Sequence, residues 1–170
     1  FFDPRLSGSK QLACASCHDP ELGWADGKRV SFGHDRAAGV RNSKTILNVA
    51  YGSVFMWDGR DGTLEEQVEM PMNDVRELNI HPKLAAKNIS KVKGYEQLFI
   101  DAFGDKEVTI DRIAKAIATF ERTVVSRKSK FDKFVSGDAS QFTDKEVHGM
   151  HLFRTTARCI NCHNGPLFSD

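Results

Sequence analysis

The chain has 170 residues, 40% of them hydrophobic, and its 24 lysines and arginines against 23 aspartates and glutamates leave a net charge of +1. That length and apolar share support one ordinary core or two small stapled ones, and the near-neutral balance excludes nucleic acid or an anionic membrane surface as the main partner. No apolar run is long enough to insert into a membrane as a helix, and Phe1-Phe2-Asp3-Pro4 lacks the basic start and apolar stretch of a secretory leader.

Residues 1–18 lead into Cys14-Ala15-Ser16-Cys17-His18, a helical turn that Pro20 is expected to end. Over 19–62 no helical period persists, and seven of the 13 glycines fall there (Gly23, Gly27, Gly33, Gly39, Gly52, Gly59 and Gly62). A loop of that length is uncommon unless it is functional or braced by something large. It holds His34, Arg41-Asn42 and Trp57-Asp58-Gly59-Arg60. Thr63 then predicts an N-cap before Leu64-Glu65-Glu66-Gln67-Val68, with acids in the first turn, and Pro71 is expected to end that helix. Residues 82–89 and 95–103 read as two short helices.

Thr109 caps the clearest helix of the chain. Ile110, Ile113, Ala114, Ile117, Phe120 and Val124 recur at i, i+3, i+4 spacing as a core stripe, while Asp111, Arg112, Lys115, Glu121 and Arg122 are expected on the outer face. Residues 127–142 read as a polar connection. Thr143-Asp144-Lys145-Glu146 is a capping box, with Phe142 placed to staple against Val147. That helix should run through Leu152 and Phe153 towards Cys159-Ile160-Asn161-Cys162-His163. No strand pattern of useful length is present, so the fold class is all-α with substantial loop.

The two Cys-x-x-Cys-His runs use all four cysteines, and each is the attachment signature of c-type haem. One turn of helix brings two thiols within reach of the two vinyl groups of one porphyrin, and the adjacent histidine meets the iron as proximal ligand. A four-cysteine zinc site would not separate its halves by more than a hundred residues and give each its own histidine. A thioredoxin-like pair needs a βαβ setting that is missing. Two covalently bound haem c groups are therefore expected, on Cys14, Cys17 and His18 and on Cys159, Cys162 and His163. The architecture that follows is two cytochrome c-like haem domains with long loops, residues 1–130 and 131–170. Only seven residues follow His163, too few to enclose a second haem, so the second domain is expected to be incomplete and the chain a fragment. Covalent haem attachment is completed outside the cytoplasm, which implies an export signal already removed.

The sixth ligand decides what such a haem does, because an iron ligated on both sides is confined to electron transfer. His34, flanked by Gly33 and Asp35 in the flexible loop, is either a ligand or a solvated histidine. His81, His148 and His151 read as surface or packing residues. Trp57 is an aromatic packed on porphyrin or a mediator of electron transfer. Glu77 is a surface acid, or a distal general acid–base that moves a proton from one peroxide oxygen to the other. Gln67 would be its neutral companion.

Phe2-Asp3-Pro4-Arg5-Leu6-Ser7, Cys14 to His18, Arg41-Asn42, Leu47-Asn48-Val49-Ala50-Tyr51, Trp57-Asp58-Gly59-Arg60, Leu64-Glu65-Glu66-Gln67 and the run from Ile113 to Thr123 together resemble the bacterial dihaem cytochrome c peroxidase family. The resemblance implies a periplasmic enzyme that reduces hydrogen peroxide to water, with electrons from a small cytochrome c or a cupredoxin. It implies a peroxidatic haem on the first motif and an electron-entry haem on the second, and it suggests a homodimer. His34 is then similar to the removable distal ligand, Gln67 and Glu77 to the distal pair, and Trp57 to the aromatic lying between the haems. Asn42 is similar to a ligand of an interdomain calcium ion. Leu78 stands where many relatives have Met. The chain stops before the position that supplies the second haem's distal ligand, Met or Tyr.

Two rivals follow from the same residues. One is a related dihaem oxidase that modifies tryptophan residues of a partner protein, against which His34 counts. The other is a dihaem electron carrier with no reaction of its own.

Overall fold

The computed structural model describes residues 1–165, 167 and 168; residues 166, 169 and 170 of the expected second domain lie outside the described residues. Among the described residues, six α-helices follow the irregular first third of the chain: α1 (Leu64–Asn73), α2 (Pro82–Ser90), α3 (Lys93–Phe103), α4 (Ile110–Thr123), α5 (Lys130–Val135) and α6 (Asp144–Arg154). Among the described residues there are isolated β-bridges, such as Phe55 with Asp61, and no strands. Two compact units divide the chain, Phe1–Val125 and Ser126–Asp170.

The cap chemistry explains where the helices start. Thr63, Thr109 and Thr143 each accept a hydrogen bond from the backbone N–H three residues on, and Glu66 and Glu146 return the bond to the caps of α1 and α6. His81 caps α2, its Nδ1 accepting from the Lys83 N–H at 3.2 Å, with Pro82 at the first helical position where its missing N–H costs nothing. Two prolines behave otherwise than expected. Pro20 opens a short turn, Pro20–Leu22, capped by Asp19. Pro71 lies inside α1, which continues to Asn73. Its missing N–H removes one bond in the final turn, while Asp74 N–H still reaches the Met70 carbonyl at 3.1 Å, and the carbonyls of Pro71 and Met72 accept from Leu78 and Ile80. Residues 127–142 are not merely a connection. Ser129 and Asp132 form a capping box that starts α5, and Phe142, expected against Val147, stacks on Phe134 at 4.4 Å between ring centroids.

The core of the first unit gathers Leu6, Val68, Met72, Leu78, Ile80, Ala85, Ala86, Ile89, Phe99, Ile113, Ala114 and Ile117. Each large apolar side chain removed from water here stabilises by about 1.5–3 kcal/mol, and α4 supplies the stripe its periodicity announced. The N-terminal segment is tied to this core by charge. Asp3 is buried, takes the Arg5 guanidinium on both oxygens, and accepts the Tyr95 hydroxyl of α3 at 2.8 Å. The Arg5 bonds, with the Tyr95 hydroxyl adding to them, hold its carboxyl down at about 2. Helices α1 and α4 are further joined by Arg122, which meets both oxygens of Glu65 at 2.7 and 2.9 Å.

Glu121 corrects the expectation of an outer face. It is 5% exposed, and its Oε2 has no hydrogen-bond partner among the described residues. Burial pushes its carboxyl up from 4.5 to about 7, so the folded chain favours the protonated form. A raised folded value contributes stability below the unfolded value that is lost as pH rises through the folded one. Unfolding of the haem-loaded chain should therefore show stability falling between about pH 4.5 and 7, and Glu121→Gln should flatten that decline. An unchanged slope in the variant would remove Glu121 as its source.

Candidate functional site

Each Cys-x-x-Cys-His run folds as the single turn its chemistry needs. In the first, the N–H groups of Cys17 and His18 both reach the Cys14 carbonyl, at 3.1 and 2.9 Å. In the second, Cys162 and His163 do the same with the Cys159 carbonyl, at 3.2 and 2.9 Å. The first histidine is held in one tautomer. A carbonyl only accepts, so the 3.2 Å contact of His18 Nδ1 with the Trp24 carbonyl makes Nδ1 the donor and leaves the Nε2 lone pair free. Ser43 lies 3.4 Å from the same nitrogen and donates its hydroxyl to the Cys17 carbonyl at 2.6 Å. Burial lowers the His18 pKa and keeps the ring neutral. His163 Nδ1 meets the Phe168 carbonyl at 2.9 Å, the same arrangement in the second unit.

These features fit haem c. Burial raises the Cys14 thiol to about 11 and, with the nearby Asp26 carboxylate, raises Cys17 as well. Without a bound group both therefore favour the neutral thiol. Phe1, Trp24 and Phe120 pack around the proximal side, with Phe1 6.3 Å from the His18 ring and Trp24 5.8 Å from Phe120. The long loop leaves Phe32, Val40, Tyr51, Val54 and Trp57 exposed, apolar surface of the kind a porphyrin covers. Sequence reasoning missed Trp24, Ser43 and Asp26. Trp24 stands in the left-handed region at φ 62°, and nothing in its type or spacing announced that its carbonyl orients His18.

The distal candidates are brought together in part. The His34 N–H donates to the Glu77 carbonyl at 2.9 Å. A Cβ on Gly33 would collide with the backbone of Arg76 and Glu77, so only glycine allows this approach. Asp35 and Arg36 follow at φ 50° and 60°, left-handed conformations that cost side-chain-bearing residues roughly 1–2 kcal/mol each. The His34 ring is 21% exposed, with Nε2 3.5 Å from the Asp35 carboxylate and a buried Nδ1 without a partner among the described residues. Glu77 is an exposed residue, yet the protein around its carboxyl and then Asp74 push that carboxyl up, against the opposing pull of Arg76 and Arg60. Its charge adds, after burial and Asp26, to the rise of the Cys17 thiol.

Gln67 sits apart from Glu77, its Nε2 3.6 Å from the Met56 sulfur. Trp57 donates its indole N–H to the Asn42 carbonyl at 2.8 Å, and the Asn42 amide nitrogen donates in turn to the Lys28 carbonyl. These residues line a shallow concavity of about 670 Å3 with Arg29, Val30, Val40 and Arg41. Among the described residues no three His, Cys, Asp or Glu side chains converge on a point that would hold a metal ion, and no helix is long and apolar enough to cross a membrane.

A helical chain with two such turns, each histidine held through Nδ1 by a carbonyl, is a c-type haem protein. The family model for di-haem cytochrome c peroxidase matches residues 1–140, and the chain belongs to that family, which implies two haem c groups. It is 38% identical over 172 residues to the methylamine utilization protein MauG of Methylophilus methylotrophus, covering 100% of the chain and 51% of the relative. It is 41% identical over 166 residues to the cytochrome c551 peroxidase of Nitrosomonas europaea, covering 98% of the chain and 49% of the relative. Among solved structures, a MauG-like protein associated with microbial copper homeostasis superposes with a TM-score of 0.91 at 30% identity, over 100% of the chain and 51% of that protein. The diheme peroxidase BthA from Burkholderia thailandensis gives 0.78 at 27% identity, over 96% and 46%. The chain thus spans about half the length of the relatives it matches.

The Gly33 approach is open to test. Gly33→Ala should destabilise the haem-loaded chain by about 1–3 kcal/mol through overpacking. Gly94→Ala, at a helical position with nothing within 4 Å of the added carbon, should be neutral or stabilising by up to about 1 kcal/mol. Denaturant unfolding of both variants checks the pair; equal effects would mean that loop and Glu77 segment are not in contact.

Proposed function

We propose that the chain is the peroxide-reducing portion of a periplasmic di-haem cytochrome c peroxidase. Residues 1–130 would carry the peroxidatic haem, and 131–170 would begin the domain that receives electrons from a small cytochrome c or cupredoxin. Bound haem supplies the iron at which hydrogen peroxide is reduced to water. His18 Nε2 would hold that iron, and the Trp24 carbonyl fixes the ring's direction. Glu77 holds a proton more readily than an ordinary carboxylic acid, because of the protein around its carboxyl and Asp74, and would deliver it to peroxide. Gln67 would offer an amide N–H to peroxide, and Trp57 would relay electrons. His34 would cap the distal position at rest and leave it on activation, drawing on the strained Asp35–Arg36 backbone. Asn42 would give its side-chain oxygen to a calcium ion, its nitrogen being already engaged.

The observation that carries this proposal is the seam at Gly33, which joins the loop histidine to the backbone of Glu77, an acid whose own carboxyl is raised. Oxidation of tryptophans on a partner protein draws support from the 38% identity to a methylamine utilization protein; a loop-borne histidine beside the acid favours peroxide reduction. Glu77→Gln should keep both haem spectra and lower steady-state peroxide turnover by about a hundredfold or more. Wild-type turnover in that variant would remove Glu77 from the chemistry, and peroxide that leaves the reduced spectrum unperturbed in the wild type would point to an electron carrier. His34→Gly should be active without prior reduction. If it still needs reductive activation, His34 is not the cap.

A further inference from the structure

Trp57 stands in an environment built against its own oxidation. The Lys44 ammonium lies over the indole face, 5.0 Å from the ring centroid. Arg41 and Arg60 both reach Asp58 Oδ2 at 2.9 Å, so the carboxylate next to Trp57 in the chain is already matched by two guanidinium groups. Lys44, Arg41 and Arg60 set against Asp58 leave a net positive surround, and Arg29 lines the same concavity. A cation over a neutral ring is attracted to its face. Once the ring loses an electron, the same cation repels it, and at this separation the repulsion is substantial even with solvent nearby.

The indole has a second way to relieve a lost electron, which is to release its N–H proton to a base. Here that way is closed. The N–H is donated to the Asn42 backbone carbonyl at 2.8 Å, and an amide carbonyl does not take up a proton near neutral pH. A hole on Trp57 would therefore remain a full radical cation facing Lys44.

We propose that Lys44 is a tuning residue for Trp57: its charge, with the arginine-neutralised Asp58, lets electrons cross the indole without leaving it oxidised. This rests on the peroxide-reducing reading above. The step disfavoured is the loss of one electron from the indole to the peroxide-oxidised haem site, which would give the radical cation; with Lys44 in place the electron comes from the reductant, and the indole ends unchanged. Lys44 acts through Trp57 and touches neither peroxide nor haem in this assignment.

The chain contains two tryptophans, so Trp24 is an internal reference. The haem-loaded chain would be treated in one arm with hydrogen peroxide and in another with a photogenerated one-electron oxidant, and oxygenated indole measured at Trp57 and Trp24 by peptide mass spectrometry. Lys44→Gln should raise the Trp57-to-Trp24 ratio several-fold in both arms, and Lys44→Arg should keep the wild-type ratio. In the wild-type chain, high salt should raise the ratio in the photo-oxidant arm, because it screens an exposed charge. A ratio unmoved by Lys44→Gln in the photo-oxidant arm overturns the proposal. If the ratio rises there but peroxide is not consumed by any variant, the tuning stands and the peroxide reading fails.

Discussion

The backbone hydrogen bond from His34 to Glu77 joins two stretches that have no regular structure of their own. The loop over 19–62 has only short turns and isolated bridges, and the segment after α1 is likewise a chain of turns. Leu78 and Ile80 anchor the second stretch in the core, and the loop meets it through backbone contact. Gly33 lies against the second stretch from one side and Gly8 from the other, where its N–H meets the Leu78 carbonyl at 2.8 Å and a Cβ would strike Asn79. Contact at van der Waals range between backbones leaves no slack for a side chain. The direction of Glu77, and the register of the loop that carries His34, follow from these two approaches.

What was legible in the sequence was what short-range rules govern. The Cys-x-x-Cys-His turns, the threonine caps and the α4 stripe depend on residues within one or two turns of each other. Glu121 was misplaced because periodicity assigns a face only while one surface is covered; α4 is covered on two, by the core at Ile117 and by the Phe1, Trp24 and Phe120 cluster at its C-terminal end. Pro71 reads as a stop because its cost in a helix interior is large, whereas in a last turn held by Met72 the loss is one bond. Helix α5 was hidden by a charged composition whose apolar members, Phe131 and Phe134, are paid attention only when Phe142 is seen against them. Trp24 was invisible because it acts through its carbonyl, a group every residue carries.

The acids of the first unit occupy three electrostatic settings. Asp3 and Asp58 are matched by guanidinium groups and held ionised. The Glu77 and Glu121 carboxyls are raised by the protein packed around them, the first on an exposed residue and the second sealed. Asp26 is buried beside the attachment turn with one oxygen taking the Lys28 N–H and the other unpartnered among the described residues. A chain of near-zero net charge can therefore hold sharply different local fields, set by which carboxylates have arginine within reach.

The Asp3 knot has a consequence for acid tolerance. A carboxyl lowered from 3.8 to about 2 contributes stability above its unfolded value that is lost only as pH falls through the folded one. Moderate acidification will protonate ordinary surface carboxylates while Asp3 still grips Arg5 and Tyr95. The leading segment that delivers the first attachment turn should thus stay moored to α3 after carboxylates without such partners have taken up protons.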